Sequence, residues 1–130
     1  MKLQPIALLA TTVAFLALDA VWLTTMGSRL YQPAIGHLMR ADVDWIAAAL
    51  FYVLYLAGLA AFALAPSKDA GSAAARGALF GLVAYATYDL TNQATLRDWP
   101  WLVTVVDLAW GSFASAMACA AGAAAAKLRR

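Results

Sequence analysis

Three aspartates stand in apolar surroundings: Asp19 in LALDAVW, Asp89 in ATYDLTN and Asp107 in TVVDLAW. An acid near the middle of a membrane-inserting helix costs roughly 2.5–3.5 kcal/mol, so each needs a compensating environment. The chemistry open to such a group is narrow. It holds a proton, meets a cation, accepts hydrogen bonds from a polar ligand, or serves as a general acid or base. Tyr85 lies one helical turn before Asp89, and Asn92 and Gln93 lie one turn after it, so all share a helix face with Gly81 below them. Thr104, Asp107, Gly111, Ala114 and Ala118 form another stripe, whose small residues let a neighbouring helix approach closely. Asp19 shares its face with Thr12, Phe15 and Trp22. Tyr52 and Tyr55, at i,i+3, can donate phenolic hydrogen bonds into the same centre. Tyr88, Trp22 and Trp110 either wall a cationic or flat ligand or simply fill space. Asp19 and Trp22 share D-x-x-W spacing with Asp107 and Trp110, on segments that run in opposite directions, which is no simple duplication.

Other chemistries lack their residues. No G-x-S-x-G, H-E-x-x-H or glycine-rich nucleotide loop is present. Cys119 is the single cysteine and falls in an apolar run, which excludes an internal disulfide and a cysteine-based zinc site and leaves it a small apolar side chain. His37 is the single histidine and reads as a surface residue beside Arg40, so no His-rich metal site can be assembled. A net charge of +2 is too small to point to nucleic acid.

The elements that must position the acids are set by composition. Of 130 residues, 65% are hydrophobic and 12% charged, with no Glu at all. A soluble domain this small has no interior large enough for so much apolar surface, so lipid is its natural solvent. Four stretches are long enough to cross a hydrocarbon core: residues 3–26, 45–65, 77–96 and 101–126. The first exceeds a signal-peptide core and reads as a retained helix. Gly27, Ser28, Pro33 and Gly36 break the chain after the first span, Pro66, Ser67, Gly71 and Ser72 after the second, and Arg97 to Pro100 after the third. Residues 31–44 have the pattern of a short interfacial helix, with Ile35, Leu38 and Met39 on one face. Short connections force antiparallel neighbours, so the expected fold is all-α: one domain, an up-down bundle of four transmembrane helices.

Lys2, Lys68, Arg76, Lys127, Arg129 and Arg130 fall on one side of that bundle, against Arg29, Arg40 and Arg97 on the other. The positive-inside rule then places both termini in the cytoplasm, with Trp45, Trp99 and Trp101 at the outer interface of a bacterial inner membrane. Asp19 lies seven residues before Met26, Asp89 seven before Leu96 and Asp107 six after Trp101. All three therefore sit about 10 Å below the outer boundary and can share one site. A proton shared among them is more plausible than three bare charges.

Leu18-Asp19-Ala-Val-Trp22-Leu23, Phe51-Tyr52-Val-Leu-Tyr55, Phe80-Gly81, Tyr85-Ala-Thr-Tyr88-Asp89-Leu90-Thr91-Asn92, Trp99-Pro100 and Asp107-Leu-Ala-Trp110-Gly111 run along nearly the whole chain. In combination they resemble the bacterial membrane family catalogued as domain of unknown function 2177. The resemblance implies a small multi-span membrane protein and brings no established activity or cofactor. The residues themselves leave three classes: a binding or transport protein for a cation, proton or polar small molecule, a membrane enzyme acting on a lipid or other apolar substrate, and a structural scaffold. Transport by so small a bundle calls for a homo-oligomer, since alternating access needs two halves. A cleft open sideways to lipid favours the enzyme, and an outward water-filled vestibule favours transport.

Overall fold

The computed structural model describes residues 3–128, and among these the chain is helical, with no strand. Four helices follow one another: α1 Pro5–Leu38, α2 Trp45–Leu64, α3 Ala70–Thr95 and α4 Trp101–Leu128. Helices α1, α2 and α4 are each long and apolar enough to cross a membrane. Helix α3, which covers the expected third span, is not among them: it is less apolar, because Ala, Gly and Thr fill positions that Leu and Val take elsewhere. Lys2, Arg129 and Arg130, which weigh in the charge asymmetry, lie outside the described residues.

Local chemistry starts and stops these helices. Pro5 occupies the first turn of α1, where its missing N–H costs nothing. Asp44 caps α2 by accepting from the Ala47 N–H at 3.1 Å. Asp69 and Ser72 form a reciprocal capping box at the start of α3, and those hydrogen bonds hold the exposed Asp69 carboxyl below its ordinary value. That cap starts α3 seven residues before the expected Gly77, so Gly71 and Ser72 belong to its first turn instead of breaking the chain. The turn before α4 passes through Asp98, whose φ of 53° is left-handed.

The largest departure from expectation is in α1. The chain does not break at Gly27; the helix continues through a π turn over Gly27–Tyr31, in which the Gln32 N–H reaches the Gly27 carbonyl, and ends at Leu38. Pro33 follows directly after this widened turn, so neither it nor the glycines interrupt the helix. Burial holds the extension in place: Leu30 and Ile35 pack with Trp99 and Val103 of the opposite connection and α4. Of the expected interfacial helix over residues 31–44, residues 31–38 are the last turns of α1 and residues 39–44 are not helical. Trp99 is buried and not an interfacial anchor, whereas Trp45 and Trp101 are exposed.

Helix α4 is central, with α1 and α3 against it. Gly81 of α3 lies so near α4 that a Cβ there would stand 2.2 Å from the Gly111 carbonyl oxygen, and one on Gly77 would stand 2.6 Å from that of Ser115. Small residues thus bring two backbones into contact, and Cys119 is buried at the same seam. Helix α2 is held differently. Its second half, from the π turn over Ala60–Leu64, packs on α3 and α4, while its first half spans the gap to its neighbours with tyrosine side chains. Phe15, Tyr55, Leu59, Leu64, Ala73 and Ala118 form the main core in the half of the bundle that holds the termini. The Leu30–Trp99 cluster closes the other end. The polar residues lie between these two apolar layers.

Candidate functional site

All three aspartates are buried, at 6% exposure for Asp19 and Asp107 and 0% for Asp89. Asp19 and Asp107 line a cavity of about 500 Å³ with Trp22, Tyr31, Tyr52, Tyr85, Tyr88 and Trp110. Leu23, Gly27, Ile35, Met39 and Phe51 complete its lining.

Each lining carboxylate meets hydrogen-bond donors. The Tyr52 hydroxyl donates to Asp19, and the Trp110 Nε1 approaches the other Asp19 oxygen at 3.4 Å. The Tyr31 hydroxyl donates to Asp107 and accepts from the Trp22 Nε1 at 2.9 Å. Trp22 and Trp110 stack face to face, centroids 4.4 Å apart and planes 7° from parallel. The shared D-x-x-W spacing thereby acquires a geometric meaning. On two antiparallel helices, Trp110 of one serves the acid of the other directly, and Trp22 serves Asp107 through Tyr31.

Asp89 sits behind this lining, beside the Asp107 carboxylate and the Trp99 indole but out of hydrogen-bond geometry with both. Neither of its oxygens has a hydrogen-bond partner. The Trp99 Nε1 donates instead to Thr104 Oγ1 at 3.1 Å. Gln93, expected to serve Asp89, is committed elsewhere: its Nε2 donates to the Trp99 carbonyl and its Oε1 accepts from Thr104 at 2.7 Å. Neither Gln93 nor Asn92 lines the cavity. The reason is rotational. The end of α3 turns Gln93 towards the connection to α4, where an inward carbonyl needs a donor.

Among the described residues, no Lys, Arg or His lines the cavity or stands beside Asp89. The ion pairs among the described residues, His37 with Asp98 at 3.4 Å and Arg40 with Asp44 at 3.6 Å, are both at the surface. Asp89 and Asp107 are neighbours, while Asp19 has its own donors, and among the described residues no three His, Cys, Asp or Glu side chains gather as a metal cage.

Of the expected residues, Asp19, Trp22, Tyr52, Tyr85, Tyr88, Asp107 and Trp110 meet around the cavity. Tyr55 pairs with Ser115 Oγ at 2.6 Å and lines an adjoining cleft of about 590 Å³ between α2 and α3. Tyr31 is the residue that sequence reasoning missed, because residues 27–37 read as a break. On a regular helix it lies about 120° around from Asp19, and one extra residue in a π turn brings it to about 20°. The signal available was the absence of any clear stop between Met26 and Leu38 once Pro33 is allowed in a helix.

No curated protein and no solved structure matches the chain. The family model described as "Predicted membrane protein (DUF2177)" matches residues 5–124, nearly the whole chain, and the protein belongs to that family.

Proposed function

We propose that all four helices cross a bacterial inner membrane with both termini in the cytoplasm, and that Asp19, Asp89 and Asp107 form a site in its outer half that binds a cation or proton. The observation that carries this reading is Asp89: a wholly buried side chain whose two oxygens lack partners, set beside a second carboxylate with no basic residue among those described to answer either. Leaving a carboxylate so placed uncompensated is expensive, so its charge is met by a proton or by a bound cation. Asp107 connects Asp89 to the cavity, and Tyr31 and Trp22 hold Asp107 in position.

Infrared spectroscopy of the protein in nanodiscs tests this at neutral pH. The wild type should show either a protonated-carboxyl C=O band or saturable binding of a monovalent cation, and Asp89→Asn, which keeps size and fold, should lose it. A wild-type protein with neither the band nor the binding sinks the proposal.

The alternative of a membrane enzyme acting on an apolar substrate draws on one observation, the cleft between α2 and α3. It is lined mostly by Phe51, Tyr55, Ala84 and Tyr85 and offers an apolar substrate a place beside the acids.

A further inference from the structure

The cavity that holds Asp19 and Asp107 and the cleft between α2 and α3 share three residues, Phe51, Tyr85 and Tyr88. Their characters are opposite. The first cavity has two carboxylates, indole and phenol rings and no Lys, Arg or His in its lining. The second has no ionisable group other than tyrosine and is bounded by Ala84, Thr87 and Thr91 on α3. The Thr87 and Thr91 hydroxyls turn back to the carbonyls of Val83 and Thr87, so they present methyl groups and spent donors to whatever lies in the cleft. Both volumes fall within the range of small-molecule sites.

We propose that the two are the head and tail compartments of one site for an amphiphilic organic cation, an alkyl or aryl amine or quaternary ammonium without a phosphate. The inference rests on the cation-binding reading above and names the class of cation. Three observations carry it. Buried acids without a basic counterpart attract positive charge, and the unpartnered oxygens of Asp89, in contact with Asp107, leave that demand open. The rings of Trp22, Trp110, Tyr52 and Tyr88 suit a weakly hydrated ammonium, which aromatic faces bind better than a small metal ion. The first half of α2 meets its neighbours through side chains and leaves an apolar slot facing the hydrocarbon, the route by which a tail would enter. A zwitterionic phospholipid fits badly, because its phosphate would stand beside carboxylates with no cation in the lining to receive it.

The test uses the full chain in phosphatidylcholine nanodiscs and follows tryptophan fluorescence, since Trp22 and Trp110 line the head compartment. Tetramethylammonium, dodecyltrimethylammonium and dodecanol are titrated, each corrected for partition into protein-free discs. The expected order places dodecyltrimethylammonium at least about tenfold tighter than either of the others, since each buried methylene adds apolar contact. Asp107→Asn should weaken both ammonium ions by about tenfold or more. Thr87→Phe, or Thr91→Phe on the same exposed face, should weaken only the long-chain ion by about tenfold. Nanodiscs carrying phosphatidylethanolamine should leave that binding unchanged. If tetramethylammonium and dodecyltrimethylammonium bind alike through Asp107, the tail compartment is wrong and the cation site stands. Dodecanol binding as well as the ammonium overturns the charge argument, competition by phosphatidylethanolamine overturns the exclusion of phosphate, and no binding of either ammonium overturns the inference, leaving the infrared result to decide the site itself.

Discussion

Tyr31 and Asp107 show how an acid is kept inside an apolar bundle. The carboxylate accepts from the phenol, the phenol accepts from the Trp22 indole, and the indole stacks on Trp110, which in turn approaches Asp19. Each hydrogen bond in this chain satisfies a polar atom that would otherwise lack a partner, so removing one should cost more than an ordinary hydrogen bond is worth. Tyr31→Phe leaves both the Asp107 oxygen and the Trp22 N–H unserved, and we expect a loss of about 1–3 kcal/mol in denaturant unfolding from detergent. Tyr88→Phe is the control. That ring is half exposed and edge-on to Trp99, and losing its hydroxyl should change stability by no more than about 0.5 kcal/mol. Equal losses in the two variants would mean that the chain of donors contributes nothing special.

Among the elements, the two ways of joining helices differ in what they tolerate. Helices α3 and α4 meet backbone to backbone at Gly81 and Gly111, and a methyl on Gly81 would meet a carbonyl oxygen at 2.2 Å and Ser115 Oγ at 2.6 Å. Neither backbone can yield without parting the helices. Gly81→Ala is therefore expected to destabilise by about 1–3 kcal/mol. Gly27 has nothing within 4 Å of its would-be Cβ and has helical torsions, so Gly27→Ala should be neutral or stabilise by about 0.5–1 kcal/mol. Thermal unfolding of the two variants checks both signs, and a destabilised Gly27→Ala would show that the π turn needs glycine itself. Helix α2 has no such seam in its first half. Tyr52 and Tyr55 act as struts across the gap, which is why a cleft remains there.

At the scale of the whole molecule, α1 is 34 residues long, about 51 Å at helical rise, against a hydrocarbon core of about 30 Å. Part of it must stand clear of the hydrocarbon, and the end that carries Arg29 and His37, with Arg40 just beyond it, is the more polar one. In the proposed topology the opposite end, which carries the excess of Lys and Arg in the sequence, is the cytoplasmic one. In intact cells carrying a Cys119→Ser background, Asp42→Cys should react with an impermeant maleimide while Gly71→Cys stays protected until the membrane is opened. The reverse pattern would invert the topology and move the acids to the inner half of the membrane.

Hydrophobic length and the cost of buried charge are properties of the chain itself, and they were legible in the sequence. The helical content, the membrane setting, the ends of α2 and α4 and the need to bury Asp19, Asp89 and Asp107 inside the bundle all follow from runs of apolar residues and the acids inside them. Helical spacing also marked the stripe through Gly111 as a place of close helix approach. Spacing on one helix cannot say which partner a polar atom finds, because that depends on the rotation and separation of two helices. Asn92 and Gln93 lie on the Asp89 side of α3, yet Gln93 serves Trp99 and Thr104. Tyr31, placed in a loop by its glycine and proline neighbours, reaches Asp107 because contacts with Trp99 and Val103 carry α1 through a π turn. Only the packed bundle decided that Asp89 would stand beside Asp107 and Trp99 with both oxygens unpartnered, since burial on every side keeps out water and the polar neighbours on its own helix are turned elsewhere.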